Sequence, residues 1–191
     1  MVKHYAIERG HCLHAARVAL SVCEHYGIEA EPQFGGCHAF NRKGWRLFKS
    51  QLPADEWPDS AWGVSVMMES PPVPPSVGGH AFVTATQDGE HYLIDLSAEM
   101  FSRPERGIIL PPLCLPLSET FSTFNWKGQG FFRAWRVGKT IVAYSGGTPE
   151  CVAPWDRPII PVGWNLNRNK LQINELIEHI DVQLQSRQHG E

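Results

Sequence analysis

Apolar positions along the chain follow a helical period first and a strand period afterwards. In residues 11–26, HCLHAARVALSVCEHY, an apolar stripe of Cys12, Ala15, Ala16, Ala19, Leu20 and Cys23 recurs at i, i+3, i+4, i+7, i+8 and i+11. His14, Arg17, Ser21, Glu24 and His25 fall opposite, which predicts an amphipathic helix with one buried face. Gly10 precedes it, and Gly27 follows where a helix commonly ends in a left-handed residue. Cys12 therefore falls in the first turn.

Residues 28–40 read as extended but are broken by Pro32 and Gly35-Gly36, the pattern of an irregular edge strand. In AWGVSVMME, Trp62, Val64, Val66 and Met68 alternate with smaller or more polar residues, predicting a strand. SPPVPPSVGG then forces a loop, because proline fixes φ and donates no hydrogen bond. GGHAFVTATQDGEHYLIDLS predicts a hairpin turning at Asp88-Gly89. In that register Gln87 pairs with Glu90 and His80 lies opposite Ser97, so His80 and Asp95 are diagonal neighbours on one face, with Cβ atoms about 7 Å or less apart. FFRAWRVGKTIVAY predicts a second hairpin at Gly138-Lys139. Near 168–187, after an asparagine-rich start, Ile173, Leu176, Ile177, Ile180 and Leu184 make the stripe of a closing amphipathic helix. These elements together predict an α+β fold, an N-terminal helix packed on a mostly antiparallel sheet.

At 191 residues with 42% hydrophobic content, the chain fits a single domain over 1–191. The net charge of −3 lacks the basic footprint of a nucleic-acid partner. No apolar run approaches the roughly 20 residues of a membrane span, and the first residues lack the apolar core of a signal peptide. A cytoplasmic protein with no membrane partner is expected. The five cysteines, Cys12, Cys23, Cys37, Cys114 and Cys151, form no paired motif and fit reduced thiols.

A cysteine in the first turn of a helix has its thiolate favoured by unpaired N–H groups and the macrodipole. An imidazole beside it completes an ion pair, and a carboxylate on the far ring nitrogen fixes the tautomer. Cys12, His80 and Asp95 supply those parts in that chain order. Each alone has a plainer reading: a packed thiol like Cys23, a satisfied core histidine, a strand-end carboxylate. Their joint placement favours catalysis. A zinc site from His11, Cys12 and His14, or from Cys37 and His38, lacks spaced ligand pairs, so no metal and no cofactor are expected. His91 falls near the turn, away from the strand ends. Glu99 and Asp156 read as solvated charges, and Trp62 and Trp126 as packing residues or walls of a substrate groove. The Cys12 backbone N–H is one oxyanion donor; the second is not legible.

The helix-borne cysteine followed by GGHAFVTATQDGEHYLIDLS resembles the transglutaminase-like branch of the papain-like cysteine enzymes. That branch includes bacterial cysteine peptidases, transglutaminases and arylamine N-acetyltransferases. The resemblance covers roughly residues 10–100 and implies a papain-like fold, with Cys12 as nucleophile, His80 as base and Asp95 as orienting acid. Leu13 and Phe82 stand where many members carry an aromatic and a tryptophan. The expected activity is hydrolysis of an amide or peptide bond in a peptide, protein or small amide substrate. The alternatives are acyl transfer or protein crosslinking and deamidation, or a catalytically silent domain that binds.

Overall fold

The computed structural model describes residues 11–66, 79–125, 131–145 and 170–188. Among the described residues the structure is α+β, with three α-helices and two antiparallel sheets. Helix α1, His11–His25, ends as the sequence predicts. Gly27 takes φ +68°, and the paired bonds Gly27 N–H to Glu24 C=O and Ile28 N–H to Cys23 C=O close the last turn in a Schellman arrangement.

The stretch expected to be one edge strand is two strands in different sheets. β1 (Glu29–Gly35) is the edge of a sheet ordered β1-β4-β5-β6, and Pro32, lacking an N–H, is tolerated at that edge. β2 (Cys37–Asn41) lies inside the other sheet, ordered β3-β2-β9-β8-β7. Here β3 is Gly63–Val66, β4 His80–Gln87, β5 Glu90–Asp95, β6 Leu113–Pro116, β7 Ser122–Asn125, β8 Phe131–Val137 and β9 Thr140–Ser145. The chain changes sheets at Gly35-Gly36. Gly36 N–H donates to Ser145 Oγ and Ser145 N–H to Gly36 C=O, so the corner is tied to the end of β9.

A Cβ on Gly35 would stand 1.7 Å from the Ser145 carbonyl oxygen, which is backbone and cannot swing away. Gly35→Ala should therefore lower stability by roughly 3 kcal/mol, the upper range for overpacking a fixed site. Chemical denaturation checks this, and a wild-type midpoint would show that the corner yields.

Both predicted hairpins form. Gln87 pairs with Glu90 and Val83 with Ile94, and Asp88 and Gly89 carry φ of 52° and 78°, as a type I′ turn requires. Val137 pairs with Thr140 in the second hairpin, with Gly138 at φ +59°. A helix the periodicity did not suggest, α2 (Arg42–Lys49), follows β2. Asn41 caps it by accepting from the Gly44 N–H, and Trp45 and Phe48, one turn apart, turn inward.

Three apolar clusters set the layers. Phe82, Leu93 and Leu113 of one sheet meet Ala39, Val64, Trp135, Val142 and Tyr144 of the other. On the outer face of the second sheet, Trp45 and Phe48 of α2 cover Phe40, Phe132, Ala134, Ile141 and Ala143. On the outer face of the first, Ala16 and Ala19 of α1 pack on Ala81 and Val83. Alternation along β4 thus sends Ala81 and Val83 to the helix while Phe82 faces the space between sheets.

The closing helix α3, Lys170–Gln188, forms, but its stripe is only partly covered. Ile173 and Ile177 are buried, whereas Leu176 and Leu184 are 39% and 43% exposed. It meets α1 through Asp181, which accepts from Tyr26 Oη and lies 3.2 Å from His25 Nε2. The proline-rich loop through Gly78, Met68 and the asparagine-rich segment before α3 lie outside the described residues. Among the described residues no helix is long and apolar enough to cross a membrane.

Candidate active site

Cys12, His80 and Asp95 come together. Each stands at an element's end: Cys12 in the first turn of α1, His80 at the start of β4, Asp95 at the end of β5. The hairpin register makes the two strand residues diagonal neighbours, and His80 Nε2 lies 2.7 Å from Asp95 Oδ2. With Nε2 donating to Asp95, Nδ1 is the ring nitrogen left for the Cys12 thiol, which hydrogen-bonds His80 and also receives the Ala81 backbone N–H. His80 and Asp95 are 2% and 1% exposed, while Cys12 is only partly buried. The imidazole and carboxylate are therefore dry, and Cys12 is the member of the three that keeps some exposure.

Burial alone would push the Cys12 thiol up, but the hydrogen bond and charge of His80, aided by the Ala81 N–H, bring it below its ordinary value. For His80, burial opposes the charged ring; the charge and hydrogen bond of Asp95, then those of Cys12, overcome it and raise the imidazole to about 9. Burial would likewise raise Asp95, yet His80, Tyr144 and Ser97 hold it below the usual carboxylate value. The shifts share one direction: each favours the charged form, thiolate for Cys12, imidazolium for His80 and carboxylate for Asp95.

Two groups that the sequence did not mark out complete the site. Tyr144 Oη donates to Asp95 Oδ2 at 2.6 Å, and Ser97 donates to Oδ1 through both its N–H at 2.9 Å and its hydroxyl at 2.8 Å. With His80, Asp95 thus accepts from four donors and has no freedom to turn away. The DLS sequence, Asp95 followed two residues on by Ser97, is the local signal for the second, since Asp side chains commonly bond the backbone two residues ahead. Tyr144 had no such signal: it comes from β9 of the opposite sheet. Phe101 packs against His80 with the rings nearly perpendicular, centroids 4.9 Å apart.

The other candidates fall elsewhere. His91 is exposed and bonded to Thr86 Oγ1, next to the turn as expected. Cys23 is buried on α1, and burial raises its thiol. Cys37 is fully buried beside Tyr144, and burial puts its thiol well above the ordinary value. His38 packs among Phe40, Phe48 and Phe132, and its Nδ1 lies 2.6 Å from Ser65 Oγ. Among the described residues no three histidine, cysteine or acidic side chains converge to hold a metal ion. Glu99 is exposed, and Trp62 lies under the Arg106 guanidinium, 4.0 Å from its ring centroid. His14 is exposed, while the His11 side chain, Trp126, Asp156 and Cys151 lie outside the described residues.

Compared with known proteins, the chain matches no protein-family model, no curated protein and no solved structure.

Proposed function

We propose that the protein is a cysteine-dependent acyl-transfer enzyme of papain-like, transglutaminase-like type that hydrolyses an amide or peptide bond. The observation that carries the reading is the Cys12–His80–Asp95 chain: a partly exposed thiol on one side of a buried imidazole whose far nitrogen is held by an anchored carboxylate. The polarity fits nucleophilic catalysis because His80 lowers the thiol below its ordinary value and Cys12 in turn raises the imidazole, so the pair favours thiolate beside imidazolium.

In this reading the Cys12 thiolate attacks the carbonyl carbon, forming the C–S bond and placing negative charge on the carbonyl oxygen. The Cys12 backbone N–H, which a first-turn position leaves without an intrahelical acceptor, meets that charge. His80 gives its proton to the leaving nitrogen as the C–N bond breaks, leaving a thioester. It then takes a proton from water, whose oxygen displaces the sulfur and releases the acid. Asp95 stays ionised throughout, orienting His80 and stabilising its charge.

The test is alkylation by iodoacetamide across pH, with the labelled cysteine identified by mass spectrometry. Cys12 should label first among the five thiols and remain reactive below the pH at which an ordinary thiol, with pKa about 8.5, loses its thiolate. An electrophilic peptide probe should modify the same residue. Equal labelling of all exposed cysteines with an ordinary pH dependence would remove the reading. Labelling of Cys12 without turnover of any peptide, amide or ester would favour a domain that binds and does not catalyse.

A further inference from the structure

A second site stands away from the thiol, on the outer face of the sheet that does not carry His80. A cleft of about 280 Å³ lies between α2 and the turn end of β8 and β9, lined by Arg42, Arg46, Arg136 and Lys139 with Trp45 and Phe121. The chain as a whole is acidic, at −3, yet four cations face one small opening. Among the described residues no carboxylate pairs with any of the four.

This grouping is unfavourable for the protein alone. α2 reads RKGWRLFK, with no acidic residue in its first turn, so Arg42 and Lys43 oppose the positive end of the helix dipole. Arg42 and Arg46 are four apart on one helix face, where like charges cost about 0.2–0.5 kcal/mol. Lys139 in the hairpin turn and Arg136 beside it add to the same field. The Arg136 guanidinium lies over the Phe121 ring, 4.5 Å from its centroid. That ring holds a planar fork of donors in place before any ligand arrives. A local charge cluster with no carboxylate partner among the described residues, arranged around a cavity with one guanidinium already positioned over a ring, is suited to an anion.

We propose that this cleft binds a small polyanion of the diphosphate type, free or as the diphosphate end of a larger metabolite. Arginine forks match phosphate oxygens in pairs, and three of the four cations are arginines. The volume lies at the low end for ligand cavities, which suits a compact anion. The cleft contains none of Cys12, His80 and Asp95; β9 runs past both places, its Thr140 and Ile141 lining the cleft while its Tyr144 holds Asp95.

Inorganic pyrophosphate is the probe, titrated calorimetrically into the full chain and compared with sodium chloride at equal ionic strength. Saturable one-to-one binding is expected, weakened at least tenfold in Arg46→Gln/Arg136→Gln and severalfold in Lys139→Gln, and unchanged in Cys12→Ala. Arg46, Arg136 and Lys139 are exposed, so circular dichroism should show the glutamine variants folded; Lys139→Gln keeps the test decisive if the double variant is not. Heat no greater than that from chloride, binding unaffected by the glutamine substitutions, or binding lost in Cys12→Ala would each overturn the proposal. Binding only to long polyanions such as heparin would overturn it too, leaving an extended basic surface.

Discussion

Cys12→Ala should fold as the wild type does yet show no thiol-dependent turnover, and His80→Ala should lower turnover on the order of 10²–10⁴-fold, the range for a lost general acid–base. The measurement is hydrolysis of fluorogenic peptide amides and esters by a preparation that labels at Cys12. The two substitutions should differ in a diagnostic way. Cys12→Ala removes the group that forms the covalent bond and leaves His80 paired to Asp95. His80→Ala leaves the thiol, but burial and the Asp95 charge, both of which raise its pKa, then act without the imidazole. Alkylation of Cys12 near neutral pH should accordingly slow in His80→Ala, and the rate should climb with pH as for an ordinary or raised thiol. Undiminished labelling at pH 6 in that variant would mean that the helix start alone activates the sulfur.

The pH profile of turnover follows from the same pair. Activity should rise as Cys12 ionises, below the ordinary thiol value, and fall as His80 loses its proton near 9. Addition of an amine nucleophile to the assay separates hydrolysis from transfer: an amide adduct would assign the thioester to transfer.

Asp95→Ala should have the largest effect on stability, about 3–5 kcal/mol at pH 6, the cost of leaving one member of a buried ion pair alone. The substitution strands the His80 Nε2–H, the Tyr144 hydroxyl and both Ser97 donors in a site that water does not reach. For a chain of this length the melting temperature should fall on the order of 10 °C.

The deficit should depend on pH. His80 is raised from 6.5 to about 9 in the fold, so its contribution is complete below pH 6.5 and is lost as pH rises through 9. Asp95 is lowered, so its contribution is present above its ordinary 3.8 and is lost as pH falls through the depressed value. The gap between wild type and Asp95→Ala should be widest between about pH 4 and 6.5 and narrow toward pH 9. Thermal melts at a series of pH values check this; a gap that does not change between pH 6 and 9.5 would show that His80 is buried neutral. Tyr144→Phe should give a smaller loss of the same sign, because His80 and Ser97 still hold the carboxylate.

Much of the candidate site was legible from local pattern. The i, i+3, i+4 stripe places Cys12 in a helix's first turn, and Asp88-Gly89 fixes a two-residue turn whose parity puts His80 and Asp95 on one face. Both inferences rest on periods of the backbone, 3.6 for a helix and two for a strand, which sequence carries directly. Where the period was interrupted the reading failed. By period alone Pro32 and Gly35-Gly36 look like defects in one strand, whereas Pro32 marks a sheet edge and the glycines the passage from one sheet to another. Helix α2 escapes a periodicity reading because eight residues span barely two turns, too few for a repeat to show, although Trp45 and Phe48 share one face; the Asn41 cap and the packing of those two rings decide it.

The sequence by itself determined the helix that bears the thiol, the register of the hairpin that bears the imidazole and carboxylate, and hence which three residues could meet. Only the tertiary structure decided that Tyr144 reaches Asp95, that the triad's inner members are dry, and that Arg136 joins Arg42 and Arg46 around one cleft. The reason is range. Periodicity reports which face a side chain takes within its own element, while contacts between sheets depend on how two separately formed layers stack, and no spacing along the chain encodes that.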